Sequence, residues 1–228
     1  MTAPTLRWIA TCARGLEAIV AAELTDAGVT IESSETGGVA FRGDVAAGLR
    51  ANWRLRAANR VLVELGAWSA PDERQLYVGA AALVAGELVN EAWPPEALRA
   101  LFTPDRSLAV QATSSRSSLR DTRWIALRVK DGVVDAQRRL FGRRSDVERD
   151  RPALQLRLRL LDDRATLLAD SSGEPLDRRG YRLDAGLCPE CGVRMAIAGP
   201  DHGHEILDPR WAKLANFATE EPGNGDPA

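Results

Sequence analysis

The 228-residue chain has few of the features that mark secreted or membrane-spanning proteins. Its three cysteines, two of them in one CxxC, do not make a disulfide framework, so a reducing, cytoplasmic environment is expected. No apolar stretch approaches the roughly 18 residues that cross a bilayer, and the first residues lack the pattern of a secretory signal. The composition, 45% hydrophobic and 27% charged, is that of a globular protein with no membrane partner.

Lysine is almost absent: of the 30 basic residues, all but Lys130 and Lys213 are arginine. The arginine fork suits phosphate, but such a bias also follows from genome base composition, so placement is the more informative signal. Residues 1–98 contain 8 basic and 12 acidic residues, residues 99–164 contain 16 basic and 9 acidic, and residues 165–228 contain 6 basic and 11 acidic. The middle third therefore carries a positive excess inside a chain of net charge −2.

Hydrophobic periodicity predicts an α+β protein. Residues 6–12 form a strand, 15–27 a helix, the stretches around a turn at 35–38 two strands, 44–55 a helix capped by Asp44, and 60–68 a strand. This βαββαβ order is the ferredoxin-like arrangement. A second unit follows, with helices at 76–93 and about 122–141, a strand at 107–113, and a final hairpin whose first strand alternates Leu and Arg.

Several segments in order resemble the RNA-binding front half of bacterial ribosomal-RNA guanine-N2 methyltransferases built on a THUMP module. They are ATCARGLEAIVAAEL (10–24), GGVAFRGD (37–44), ANWRLRAANRVLVEL (51–65), LRVKDGVVD (127–135), GRRSDVERDRP (142–152) and DSSGEPLDRRGYR (170–182). The resemblance implies a ferredoxin-like domain at 1–68 and a THUMP RNA-binding domain at 69–172. The family tends to have Ala where Gly132 stands and Leu where Ser171 stands.

The end of the chain departs from the family. We expect a linker at 173–186, a small tail at 187–217 and disorder at 218–228. The family continues into a methyltransferase domain with a Gly-rich loop for S-adenosylmethionine and an Asn-Pro-Pro-aromatic motif, and neither is found here. S-adenosylmethionine is therefore not expected for this chain, and no catalytic residue is assigned. Whether the chain belongs to an enzyme stays open.

The resemblance implies RNA contact from the basic segment at 116–144, where a helix N-terminus with flanking arginines suits phosphate. The candidate RNA-binding residues are Arg116, Arg120, Arg123, Arg128, Lys130, Arg138, Arg139, Arg143 and Arg144. The alternative is a solvated helix face on which Asp131 and Asp135 pair with basic neighbours.

The tail offers a candidate metal site. Cys188, Cys191, His202 and His204 have the residue types of a structural zinc knuckle, although the two histidines stand closer together than is usual. The alternative is a tail in which the CxxC arises by chance or is redox-sensitive. Cys12 is expected to be a small apolar residue at a strand end and not a reactive thiol.

The leading hypothesis is an RNA-binding THUMP protein that lacks its own catalytic domain and takes structured RNA, ribosomal or transfer, as its partner. The alternative is a fragment or split subunit of an S-adenosylmethionine-dependent ribosomal-RNA guanine-N2 methyltransferase, working with a methyltransferase subunit. A third reading is an interaction protein that keeps only the fold.

Overall fold

The computed structural model describes residues 5–88 and 92–176. Its first half comprises β1 (Leu6–Cys12), α1 (Glu17–Asp26), β2 (Thr30–Glu35), β3 (Gly38–Gly43), α2 (Val45–Arg54) and β4 (Ala58–Ser69). This is the βαββαβ order that the periodicity predicts. The cap predicted for α2 is confirmed, because the Asp44 carboxylate accepts a hydrogen bond of 2.8 Å from the amide of Ala47.

The second half comprises α3 (Glu73–Ala85), α4 (Pro95–Leu101), β5 (Leu108–Ser115), α5 (Thr122–Phe141), β6 (Leu154–Leu161) and β7 (Arg164–Asp170). The helix predicted at 76–93 is wrong in its length. It ends at Ala85 because Gly86 adopts the left-handed conformation, with φ of 72°. Pro95 then begins a separate helix, where its missing N–H has no cost.

All seven strands join one sheet in the order β2-β3-β1-β4-β7-β6-β5. Neighbouring strands are antiparallel except β5 and β6, which are parallel. The long strand β4 pairs with β1 on one side and with β7 on the other. The predicted domain boundary at residue 68 lies at the end of this shared strand.

The helices pack on one face of the sheet, where the core lies. Trp8 of β1 stacks on Phe41 and fits against Gly48 of α2, while Trp68 of β4 fits against Gly79 of α3. Leu154, Leu156, Leu158 and Leu160 of β6 are buried on this face and its arginines alternate to the other, as the Leu/Arg pattern predicts. Among the described residues, no helix is long and apolar enough to span a bilayer.

Candidate RNA interface

The nine basic residues singled out from the sequence lie along α5 and its flanking turns, and they do not form one patch. α5 has 20 residues, which corresponds to about 30 Å at 1.5 Å per residue. Arg116, Arg120 and Arg123 lie at its N-terminal end, whereas Arg138, Arg139, Arg143 and Arg144 lie at its C-terminal end. Arg128 and Lys130 stand between the two groups.

At the N-terminal end, the serine turn (residues 114–118) comprises the last two residues of β5 and the first three of the connection to α5. Four serines, Arg116, Arg120 and Asp163 line a cavity of about 510 Å³. The Asp121 carboxylate caps the helix by accepting from the amides of Arg123 and Trp124, so these amides already have an anionic partner. Arg116 makes a two-point ion pair with Asp162, at 2.9 and 3.0 Å.

Arg120 and Arg123 are exposed, as is the paired Arg116. Within the described ranges 5–88 and 92–176, neither has a recorded ion pair, so their guanidinium groups are the most accessible there for an anionic ligand.

The two basic residues in the middle of α5 are held by neighbouring groups. The Arg128 guanidinium lies 5.2 Å from the centre of the Tyr77 ring, which is a cation–π distance. Lys130 is 2.7 Å from Asp131. Burial, followed by the hydrogen bond to Asp135, raises the pKa of Tyr77. These contacts fit the alternative reading of local pairing better than that of an open phosphate site.

The C-terminal group is partly neutralised. Arg138 pairs with Asp135 at 3.2 Å, and Arg143 pairs with Asp105. Arginines in the last turn of a helix also complement its negative C-terminal end, which is a structural role that needs no ligand. Arg139 and Arg144 are exposed.

A second basic surface, missed in the sequence, lies on the face of the sheet away from the helices. The sheet curls strongly: β2 and β6 are five strand positions apart, which would be about 24 Å in a flat sheet at about 4.8 Å per strand. Yet Nη2 of Arg159 on β6 lies 3.3 Å from Oε2 of Glu35 on β2. The face therefore forms a concave trough of about 620 Å³.

We call this surface the arginine trough. Its apolar floor includes Ile9, Ala40, Leu62 and Leu168, and Glu35 is the one acidic residue among the lining residues. Five arginines line it: Arg7, Arg14, Arg60, Arg157 and Arg159.

Two of these arginines share one buried carboxylate. Asp170 is 0% exposed and pairs with both Arg60 and Arg157, the latter at 3.1 Å. One carboxylate neutralises only one of two guanidinium groups, so a positive excess remains at the wall of the trough. Because a guanidinium has several N–H donors in a fixed plane, groups oriented in this way suit a phosphate.

The segment at 170–173, which opens the most distinctive motif of the sequence, secures this arrangement. Ser171 donates to the carbonyl oxygen of Val61 at 2.7 Å, and Ser172 donates to Oδ1 of Asn52 at 2.9 Å. Gly173 has φ of 68°, and its carbonyl accepts from Arg60 at 2.9 Å. The polar residues of the motif therefore fasten the end of β7 to β4 and α2.

The rim of the trough is organised by Glu17. Its carboxylate accepts from the amides of Gly15 at 2.7 Å and Gly37 at 2.8 Å, which joins the loop after β1 to the β2–β3 turn. Cys12 is buried next to this rim, and burial followed by the Glu17 charge raises the pKa of its thiol. The thiol stays protonated near neutral pH, in agreement with the apolar role expected for Cys12.

β5 leads from the arginine trough to the serine turn. Thr113 of β5 lines the trough and pairs with Arg159 of β6, and Ser114 is the next residue along β5. Arg116 follows after a rise of about 10 Å at roughly 3.3 Å per residue. The N-terminal group of α5 therefore begins a short distance along the chain from the residues of β5 that line the trough.

The predicted zinc ligands Cys188, Cys191, His202 and His204 lie outside the described residues. Among the residues that the structure describes, no group of three or more His, Cys, Asp or Glu side chains is arranged to hold a metal ion.

Two family models match the chain. Residues 7–62 match the RlmL ferredoxin-like domain, and residues 84–170 match the THUMP domain. These matches confirm the order of domains that the sequence resemblance implied.

Individual proteins agree with these matches. Ribosomal RNA large subunit methyltransferase K/L from Syntrophotalea carbinolica is 36% identical over 92% of this chain and 28% of that protein. The enzyme of the same name from Methylococcus capsulatus is 32% identical over 89% of the chain and 27% of its own length. A crystal structure described as a predicted N6-adenine-specific DNA methylase from Listeria monocytogenes has 31% identity and a TM-score of 0.63, covering 80% of this chain and 44% of that one. The chain thus spans little more than a quarter of the length of these two methyltransferases.

Proposed function

We propose that this chain, which belongs to the THUMP-containing family of ribosomal-RNA methyltransferases, binds structured RNA, ribosomal or transfer. Its ferredoxin-like and THUMP domains lie at residues 7–62 and 84–170. The observation that carries the proposal is the arginine trough. It crosses strands of both domains and presents guanidinium groups that a buried carboxylate orients. The phosphate backbone is the chemistry that such groups recognise.

In this proposal the trough and the N-terminal group of α5 act together. Arg14 and Arg159 contribute from the trough, and Arg120 and Arg123 contribute from the residues just before α5 and from its first turn. The C-terminal group of α5 contributes less because it complements the negative end of the helix. Arg128 and Lys130 contribute less because their side chains are only 30% and 23% exposed beside Asp131.

Three double variants test this assignment: Arg14→Ala with Arg159→Ala, Arg120→Ala with Arg123→Ala, and the matched control Arg138→Ala with Arg139→Ala. Binding of a fluorescently labelled RNA hairpin is measured by anisotropy over a range of salt concentrations. Each lost phosphate contact lowers the slope of log K against log salt by about 0.7–0.9. The first two pairs should therefore weaken binding and flatten the slope, and the control pair should change little. No binding of the hairpin by the natural chain at low ionic strength would overturn the proposal.

We further propose that this chain acts as the RNA-holding part and does not itself transfer a methyl group. The printed sequence contains neither the Gly-rich cofactor loop nor the Asn-Pro-Pro-aromatic motif expected for that chemistry. Isothermal titration of the purified chain with S-adenosylmethionine is the test. Saturable binding would reject this proposal and support the alternative of a methyltransferase fragment or subunit.

We also propose that Cys188, Cys191, His202 and His204 hold one structural zinc ion. The proposal rests on residue type and spacing, because two thiolates and two imidazoles complete the tetrahedral set that zinc prefers. Elemental analysis after zinc-replete purification should give about one zinc per chain. A Cys188→Ser, Cys191→Ser variant should lose it, and a Cys12→Ser variant serves as the matched control. A ratio near zero in the natural chain would exclude the site.

A further inference from the structure

Among residues 5–88 and 92–176, no strand pairs with the outer edge of β5 along most of its length. β5 is the last strand of the sheet, and its first residue, Leu108, is already paired on the outer side. The Leu108 amide donates to the carbonyl of Asp146 at 2.9 Å, and its carbonyl accepts from the amide of Glu148 at 3.2 Å. The chain at 146–148 therefore begins a parallel pairing that no described strand continues.

The open backbone groups belong to alternate residues of β5. In a strand, the N–H and C=O of every second residue point to the same side, so those of Val110, Ala112 and Ser114 point outward like those of Leu108. Within residues 5–88 and 92–176, these groups have no recorded backbone partner. Three consecutive outward positions are enough to pair a short added strand.

A groove runs between this edge and α5. Its volume is about 650 Å³, and its apolar lining includes Val110 and Ala112 of β5, Ala126 and Leu127 of α5, and Val147. Leu127 is 41% exposed and Val147 is 49% exposed, so apolar surface remains open to a ligand beside the edge.

The charged residues that line the groove are all basic. Arg123, Lys130 and Arg149 line it, and no carboxylate does. Lys130 is paired with Asp131 next to it, which leaves Arg123 and Arg149 as the positive ends of the groove. A ligand that fits this groove carries negative charge near an extended, partly apolar stretch.

We propose that the groove between β5 and α5 binds an extended acidic peptide segment of a partner protein, which adds as a strand to the outer edge of β5. Its main chain would pair with Val110, Ala112 and Ser114. Side chains of alternate residues would meet Leu127 and Val147 or the surrounding cations. Outward N–H and C=O groups at strand spacing match a polypeptide backbone, whereas an RNA backbone presents no such alternation of donors and acceptors. The proposal does not rest on RNA binding.

A set of labelled eight-residue peptides provides the probe. In each, Glu alternates with Val, Ile, Leu or Thr, and binding to the full chain is measured by fluorescence anisotropy. At least one acidic peptide should bind with Kd below about 1 mM, the limit of weak specific binding. Its counterpart with Lys in place of Glu should bind at least tenfold more weakly. Methylation of alternate backbone nitrogens should cause a similar loss, because it removes the donors that pair with β5.

Two measurements locate the site. Bound peptide should slow hydrogen exchange at the amides of Val110, Ala112 and Ser114, while those of Gln111 and Thr113, which face β6, should change little. Arg149→Glu should weaken the acidic peptide at least tenfold. Arg151→Glu, an exposed arginine two residues further along that does not line the groove, is the matched control.

Three results would overturn the proposal. The first is that no acidic peptide binds with Kd below about 1 mM, and the second is that backbone methylation does not weaken binding. The third is that an RNA hairpin fully displaces the peptide and that Arg149→Glu weakens the binding of this hairpin. The last result would assign the groove to RNA. Failure of the peptide test with intact RNA binding, or the reverse, separates this proposal from the proposed function.

Discussion

Gly132 lies at a close contact between α5 and α3. A Cβ atom added to it would stand 2.5 Å from the carbonyl oxygen of Tyr77 and 3.1 Å from the Cβ of Ala80. Backbone atoms cannot turn aside as a long side chain can, so the two helices would have to separate. Glycine is normally a poor residue inside a helix, and here it permits the close contact.

Gly132→Ala should therefore destabilise the protein although alanine favours helix formation. We expect the free energy of unfolding to fall by about 1–2 kcal/mol, because the steric overlap destabilises the protein more than the higher helix propensity of alanine stabilises it. Urea unfolding followed by circular dichroism measures it. Leu140→Ala, at a 40% exposed position of the same helix, should change stability much less. Equal or greater stability of Gly132→Ala would show that α3 and α5 move apart without cost.

The charge of Glu17, at the rim of the trough, makes the stability of the protein depend on pH. The hydrogen bond from the Gly37 amide, helped by that from Gly15, lowers the pKa of the Glu17 carboxyl. A group whose pKa is lower in the folded protein stabilises it above the unfolded pKa, about 4.3 for Glu. That stabilisation is lost as the pH falls through the folded pKa.

Glu17→Gln should accordingly be less stable than the natural chain near neutral pH, and the difference should shrink as the pH falls below about 4.3. Thermal unfolding from pH 7 to acid compares the two proteins, and Glu174→Gln, at an exposed position, is the control. A difference that is constant or grows towards acid pH would contradict the role given to the Glu17 charge.

At the scale of elements, Asn52 is the polar connection between α2 and the end of β7. Its side chain is 9% exposed, donates to Ser171 Oγ at 2.8 Å and accepts from Ser172 at 2.9 Å. Removing it takes away the hydrogen bonds that the buried amide makes to both hydroxyls, which then keep, among the described residues, only their contacts with Val61, and this loss costs free energy.

Asn52→Ala should lower the free energy of unfolding by about 1–3 kcal/mol, measured by urea denaturation. The same substitution at Asn59 on β4, which is half-buried, is the matched control and should cost clearly less. Equal effects at the two positions would mean that the network to Ser171 and Ser172 contributes nothing of its own.

Element boundaries were predictable where local chemistry sets them. Asp44 and the turn before Thr122 mark the starts of α2 and α5, and α5 spans the predicted residues 122–141. The predicted helix at 76–93 failed because its apolar pattern continues past Gly86, where the backbone turns left-handed. The helical spacing of apolar residues does not by itself show that a glycine within that spacing ends the helix.

The trough was less predictable because it depends on contacts between distant residues. The Leu/Arg alternation of β6 correctly places Arg157 and Arg159 on the face away from the core. It does not show that Arg157 shares Asp170 with Arg60, or that Arg159 meets Glu35, 124 residues away in sequence. Those contacts arise from sheet order and curl, which local patterns do not encode.

For the whole molecule, the pairing of β4 with β7 makes the two family domains parts of one sheet. The ladder runs from Leu62 with Asp170 to Ser69 with Arg164, in the middle of the sheet. A cut between the domains would expose this long central strand as an edge, and unpaired edges of this length promote association with other chains. The two domains are therefore expected to depend on each other for stability.

A fragment of residues 1–72 should lack cooperative urea unfolding or aggregate, and mixing it with a fragment of residues 73–176 should restore a cooperative transition, because β4 and β7 can then pair. In the full chain, native-state hydrogen exchange should give similar opening free energies for the central amides of β1 and β6, as expected for one cooperative unit. If the 1–72 fragment instead unfolds cooperatively at the urea midpoint of the full chain, the β4–β7 ladder does not couple the domains. In that case, variants in the THUMP part should leave the stability of β1 unchanged.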